Sequence, residues 1–392
     1  MMFDFTRNSF IDDFERHNKE INEVWDTFHA GDPVRMPVFV DTSDRFYVLN
    51  KVTNPENISF REYSEDPRIM FELQKRFEPY FRTQIPGDHE MGLPKDGWYI
   101  SVDFQNYYEA AWLGAEVAYP DDQVPYAKRL LNDDNKEMLF EQGIPDPFGG
   151  FLSKARDYYD QFVEWQKDTL IEGLPIKHIS APFCGTDGMF TLACELRGAD
   201  NICVDMMLDP DYYHTLMDYL TEATIARLKA WHIYRGEKPI HKSYGFADDS
   251  ILLLSKEQYR EFVLPYHKRL MTAMSTMEEK GFCHLCGDAT RHFKLIAEEL
   301  NIGGFDTGFP VDHRALVLEL GPDILIQGGV SSDIVFAGTP EMIEAETKRI
   351  IESVKPLTKK FVYRDGNNIA PYTPLENMLA LYHAGVKYGK YR

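Results

Sequence analysis

The sequence predicts an α/β protein: a (β/α)8 TIM barrel with an N-terminal helical extension and a helical insertion after the second strand. The extension covers residues 1–34, the insertion or lid covers 105–175, and one domain spans 1–392. Three observations carry that expectation. Short apolar runs alternate with amphipathic stretches, as parallel strands and their crossover helices require. Eight such runs can be counted, and eight units close a barrel. Acidic and polar residues gather where the runs end, and in a barrel those ends share one mouth.

Residues 8–30 read as a polar amphipathic helix, and 35–41 (Arg-Met-Pro-Val-Phe-Val-Asp) as the first strand. Polar helical material from Ser59 to Phe81 leads to a second strand over 98–104. The segment 105–175 is helical but aromatic and interrupted by Pro120, Pro125, Pro145, Pro147, Gly149 and Gly150. A third strand over 176–182 precedes a loop at 183–188 and a helix from about Met189. Asp209-Pro210 opens another helix, a cap followed by proline at the first helical position. The fourth strand is read over 241–247. Ser255 and Gln258 have capping-box spacing and start a helix to about Lys280. Strands follow at 281–287, 301–306, 323–329 and 360–365. Phe293, Ile296 and Leu300 share one face of the helix after the fifth strand. Thr339-Pro340 starts a further helix, and Thr373-Pro-Leu-Glu376 reads as a capping box. In the last helix, Leu375, Met378, Leu379, Tyr382 and Val386 form a stripe that docks on a core.

The fifth strand carries the most specific chemistry. Side chains alternate along a strand, so Phe282, His284 and Cys286 share one side. An imidazole and a thiol two positions apart can close on one zinc-sized ion, which favours N and S donors. The same pattern also fits a buried strand whose His and Cys are core residues; Cys283 and Cys203 are read that way. The polar strand ends are Asp41, Asp103, Asp187, Asp248, Asp249, His284, Cys286, Asp306 and Asn367. So many around one mouth favour an enzyme over a structural protein.

A net charge of -21 argues against nucleic acid and anionic membrane as partners, since both would repel the chain. No apolar stretch of about 18 residues exists to span a bilayer. The first residues, Met-Met-Phe-Asp-Phe-Thr, lack a basic region followed by an apolar run. Five cysteines, an odd number, fit a cytoplasmic protein with thiols free or metal-bound.

Several blocks together are similar to the uroporphyrinogen decarboxylase superfamily. They are Ser180-Ala-Pro-Phe with Phe190-Thr-Leu-Ala, Leu254-Ser with Tyr259-Arg-Glu-Phe-Val-Leu-Pro265-Tyr, His284-Leu-Cys-Gly287, and Gly366-Asn-Asn-Ile-Ala-Pro371 with Thr373-Pro-Leu-Glu-Asn377. The resemblance covers nearly the whole chain and implies a (β/α)8 barrel. It leaves two branches, porphyrinogen decarboxylases and methyltransferases that work with corrinoid proteins.

The decarboxylases hold a polycarboxylated tetrapyrrole with an arginine-rich entrance segment. Here that segment reads Asp41-Thr-Ser-Asp-Arg-Phe46, keeping Arg45 but placing Asp41 where an arginine is expected. Glu195 stands for a tyrosine, Asp249 for a serine and Asn367 for a histidine; Asp103 and Asp248 match. Three added carboxylates would repel a polyanion. His284 and Cys286 match the methyltransferase branch, where zinc is completed by an acid on the sixth strand and a cysteine in the C-terminal loop. Those positions are Gly308 and Asn367 here, and a shift of two residues would make Asp306 the acid.

The resemblance therefore implies an O-demethylase-type methyltransferase. It would move a methyl group from a small methoxylated, aromatic substrate to cobalamin Co(I) on a separate corrinoid-binding protein, and a homodimer is left open. On that reading zinc takes His284, Cys286 and Asp249 or Asp248. Asp248, Asp249, Glu195 and Asn367 are the catalytic candidates, and Asp41, Arg45, Asp103, Asp187 and Asp306 the substrate-binding ones. The aromatic residues between Tyr99 and Trp165 would either line an arene pocket or pack the insertion. A methylcobalamin:thiol methyltransferase and a tetrapyrrole-binding relative are the alternatives.

Overall fold

Among the described residues, eight parallel strands follow one another, each run ending near the same mouth. They are β1 Val38–Phe39, β2 Trp98–Ser101, β3 Leu174–Ser180, β4 Phe246–Ala247, β5 Gly281–Leu285, β6 Ile302–Thr307, β7 Leu325–Val330 and β8 Phe361–Asp365. The computed structural model describes residue 11, residues 13–121 and residues 123–391. One parallel ladder runs β1-β8-β7-β6-β5-β4, and β2 pairs with β3 in a second parallel arc. The order is that of a (β/α)8 barrel. The register sets His284 of β5 directly beside Asp306 of β6. Neighbours in register point to the same face, so two polar side chains meet at one level of the barrel wall.

The strands are shorter than the sequence suggests where glycine and proline interrupt them. β1 and β4 keep two residues each. His241, expected in the fourth strand, forms only an isolated bridge with Ser275.

Helix starts are largely local. The Asp209 carboxylate accepts from the Tyr212 N–H, with Pro210 in the first turn. Ser255 and Gln258 make both bonds of the capping box. The helix they open does not run to Lys280: it passes through a π turn at Tyr259–Val263 and ends at Met274. Pro265, with no N–H, cannot donate to the turn before it, which matches a wider turn at that place. The second expected capping box is absent. Thr373 gives its hydroxyl to the Ala370 carbonyl instead, and the last helix, Leu375–Tyr388, starts after Pro374. Its buried face is led by Met378, Leu381 and Tyr382, while Leu379 and Val386 are only half-buried.

The N-terminal helix, Phe14–His29, is capped by Asp13 and buries Ile21 and Val24. Residues 8–10 and 12 of the expected helix lie outside the described residues. Within 105–175 are the helices Tyr108–Trp112, Met138–Gln142 and Phe151–Trp165, and a hairpin pairing Val117–Ala118 with Tyr126–Ala127. The aromatic side chains here pack on one another and on the barrel. Phe104 lies 5.0 Å from Phe151 and 5.2 Å from Tyr158, and Phe71 lies 4.9 Å from Phe162. Cys283 is fully buried, Cys203 half-buried, and the cysteines are unpaired. Among the described residues, no helix is long and apolar enough to cross a membrane.

Candidate active site

His284 and Cys286 project from β5 and the residue just past it toward a cavity of about 430 Å³ at the strand ends. Their Nε2 and Sγ atoms are 3.0 Å apart. On the other side of the ring, His284 Nδ1 lies 2.7 Å from Asp306 Oδ2. Asp249, one residue past the end of the short β4 and its Asp248, accepts the Cys286 N–H at 2.7 Å. Ligand atoms of Asp249, His284 and Cys286 all fall within 4.8 Å of one another.

This donor set fits zinc. It offers one N, one S and one O donor at the edge of a cavity, the composition of a catalytic rather than a structural site. Asp306 holds Nδ1 and leaves Nε2 free to ligate, the usual partner of a metal-bound imidazole. Without a metal, burial works against charge on His284. The bonds to Asp306 and Cys286 outweigh it and raise the group to about 11.

The position expected to carry a sixth-strand acid cannot do so. A Cβ on Gly308 would sit 2.6 Å from the Cys286 Cα, so the backbone of 286–287 fills that space. Asp306 is not displaced into the cluster either. It belongs beneath it, receiving Arg364 Nη1 at 2.9 Å, while Nη2 of the same guanidinium reaches Asp41 at 2.6 Å. The Asp41 N–H in turn donates to Asp365 at 2.9 Å. Asp41 and Asp306, read from the sequence as substrate-binding, thus spend their carboxylates on Arg364 and do not line the cavity.

Asp248 requires a correction. It is 0% exposed and its carboxylate is saturated. It accepts from the N–H groups of Phe190 and Thr191, the Thr191 hydroxyl and His267 Nε2, at 2.8–3.0 Å. Those bonds anchor the helix Met189–Arg197 to β4. Gly188, at φ +94°, must be glycine because a Cβ would collide with the Asp248 side chain. Asp248 therefore has no route to a substrate or metal; its neighbour Asp249 faces the cavity.

The rest of the lining is polar. Arg45 Nε donates to Gln105 Oε1 at 2.8 Å, and Gln105 donates to Asp103 through both backbone and side chain. Burial raises the Asp103 and Asp44 carboxyls, with Asp103 adding its charge to Asp44. Asp187 is raised to about 7 by burial, Glu109 and Asp249. Glu195, half-buried on Met189–Arg197, does not line the cavity; burial, then Asp187 and Glu109, raise it to about 8. Asn367 and Asn368 close one side.

Three residues that sequence reasoning missed hold this arrangement. Arg364 is a buried cation within β8, next to the buried Asp365, and a charged pair inside a strand was the available signal. Glu109 and Arg227 form a buried ion pair across 118 residues of sequence. Glu109 also accepts the Thr186 hydroxyl at 3.0 Å and the Asp187 N–H at 2.9 Å, and Arg227 donates to the Phe183 and Gly185 carbonyls. Together they fix the loop that carries Asp187. No spacing in the sequence links them.

Two other features lie apart from this mouth. Cys184, His232 and Glu237 also bring ligand atoms within 4.8 Å. The Arg235 guanidinium already lies on Cys184 at 3.3 Å and on Glu237 at 3.0 Å, a fixed cation where a metal would sit. A groove of about 650 Å³ between the N-terminal and last helices is lined by mixed charges such as Arg16, Glu20 and Lys390.

Among known proteins, the chain is similar to a methylated-thiol–coenzyme M methyltransferase of Methanosarcina mazei. The identity is 30% over 197 residues, 50% of each chain. A uroporphyrinogen decarboxylase of Prochlorococcus marinus is 28% identical over 83% of this chain and 85% of its own. The methylcobamide:CoM methyltransferase MtbA of M. mazei is 24% identical over 42% and 48%. The match spans about half the length of these two methyltransferases. A solved methyltransferase structure from M. mazei shares the fold, with a TM-score of 0.62 at 19% identity over 95% of this chain and 98% of that one. Residues 32–388 match the sequence model of uroporphyrinogen decarboxylase (URO-D), and the chain belongs to that family, related to its methyltransferases as well as its decarboxylases.

Proposed function

We propose that the protein is a corrinoid-dependent methyltransferase, taking a methyl group from a methoxylated substrate and passing it to the Co(I) of a separate corrinoid protein. The observation that carries this reading is the Asp249–His284–Cys286 cluster at the barrel mouth, with Asp306 orienting the imidazole. Zinc bound there would act as a Lewis acid on the ether oxygen.

The chain's own groups supply the rest. Asp306 keeps the His284 proton on Nδ1. Asp187 faces the same cavity as Cys286, and in the metal-free protein burial, Glu109 and Asp249 raise its carboxyl to about 7. It is suited to protonate a leaving oxygen. In the balanced step, the C–O bond breaks with its electron pair staying on oxygen, which takes the Asp187 proton. The methyl carbon bonds to cobalt through the co-substrate's electron pair. Solvent then returns a proton to Asp187.

A decarboxylase would need cations for a polyanion, whereas Asp44, Asp103, Asp187 and Asp249 face Arg45 across the cavity. Mixing the purified protein with free cob(I)alamin and methoxylated donors, and following methyl-cobalt absorbance, tests the proposal. Zinc near one equivalent and donor-dependent methylation are expected. Zinc far below one equivalent, or methylation only of a thiol by methylcobalamin, would overturn it.

A further inference from the structure

We infer that the methyl donor is a small polyhydroxylated methyl ether of monosaccharide size, not a methoxyarene; this rests on reading the cavity as the methyl-donor site. No aliphatic side chain lines the cavity among the described residues, and Tyr108 brings its single phenyl-type ring. Tyr108 is itself buried, with its hydroxyl given to the Gly185 carbonyl at 3.2 Å. The other rings of this region are spent elsewhere: Phe104, Phe151, Tyr158 and Phe162 pack against one another and the barrel. Pockets for apolar ligands are walled mainly by hydrophobic and aromatic groups, and this one is not.

Part of the polar wall has no partner within the protein. Ser43 Oγ is buried and has no partner in the protein. The side-chain amides of Asn106, Asn367 and Asn368 line the cavity and bond to no described residue. Asp103 and Asp187 present acceptors, and Arg45 a donor, around the same space. Hydroxyl groups donate and accept, so a polyol can meet carboxylates, amides and a serine at once. An arene would strip those groups of water and return nothing, at about 1–3 kcal/mol for each buried polar group left unpaired. A site built to bond hydroxyls rejects ligands lacking them by large factors. A quaternary ammonium would be drawn by the acids, but it is held by a cage of aromatic faces. The lining has one phenol ring, the His284 imidazole and an arginine instead. A volume of about 430 Å³ lies toward the small end for ligand sites.

The test is binding measured on the zinc-containing protein by ligand-observed NMR competition. The panel comprises methyl glucosides, 3-O-methylglucose and O-methyl inositols, set against 2-methoxyphenol, methoxybenzoate and choline. The expected result is at least one polyol ether binding tenfold or more tightly than any arene or choline. Asn106→Leu, an exposed position, should weaken that ligand at least tenfold with unchanged zinc content and melting temperature. Tightest binding by an arene or by choline, no binding by any member, or an unaffected Asn106→Leu variant would overturn the inference. Binding of a polyol ether without methyl transfer to cob(I)alamin would instead fault the proposed reaction and leave the ligand class standing. Methyl transfer from 2-methoxyphenol alone would do the reverse.

Discussion

Asp306 gives His284 a fixed tautomer, and Arg364 gives Asp306 a fixed place. The chain Asp41–Arg364–Asp306–His284–Cys286 is held by contacts of 2.6–3.0 Å from barrel wall to mouth. Replacing Asp306 with Asn keeps the size but lets the imidazole turn or change tautomer. Zinc affinity should drop by about 10–100-fold, the usual effect of removing such a partner. Competition with a chromophoric chelator measures it, and an unchanged affinity would show that Asp306 does not orient the ligand. His-x-Cys was readable in the sequence because alternation along a strand is local. The partition of Asp248 and Asp249 was not. The two are adjacent and chemically identical, yet Phe190, Thr191 and His267 seal one away while the other reaches the cavity.

The elements that aim the site are short loops tied down by distant charges. The loop 185–187 is held through Glu109 on Tyr108–Trp112 and Arg227 on Pro210–Tyr234. Arg227 is 0% and Glu109 2% exposed, so neither can be rehydrated cheaply if its partner leaves. Arg227→Met should cost about 3–5 kcal/mol of stability, the range for breaking a buried pair by removing one partner. Adding Glu109→Leu should restore part of it, because both charges are then gone. Urea unfolding of wild type, single and double variants gives the answer. A single-variant loss below about 1 kcal/mol would mean the pair does not anchor the loop. The sequence marked the helix Pro210–Tyr234 through its cap and proline, signals lying within one turn. It could not mark what Arg227 meets, since that partner comes from another layer of the fold.

Across the whole molecule, net charge -21 and several raised carboxyls act together. Asp187 stands at about 7, and Glu195 and Asp365 at about 8. The folded state holds these protons where the unfolded chain has released them. Their contribution to stability is complete below the ordinary carboxylate range and disappears as pH rises through 7 to 8. The buried histidines His292 and His313, lowered to about 4, act in the opposite sense and only below about 6.5. His284, raised to about 11 without metal, acts in the same sense as the acids above about 6.5. The melting temperature of metal-free protein should therefore fall between pH 6.5 and 9, and Glu195→Gln should remove that acid's part of the fall. A profile that is level or rising over this interval would contradict the buried, proton-holding acids.

The amino-acid sequence determined what short-range physics can settle: eight strand runs in order, most helix starts, and an imidazole and a thiol on one face of β5. Alternation, capping and proline geometry act over a few residues, so they are written where they act. Only the tertiary structure decided which acids share the cavity, that Gly308 leaves no room for a ligand, and that the rings of the aromatic segment, Tyr108 apart, pack its interior instead of lining the mouth. Those outcomes depend on which buried charges and rings meet across tens to hundreds of residues, and burial and pairing are properties of the assembled barrel.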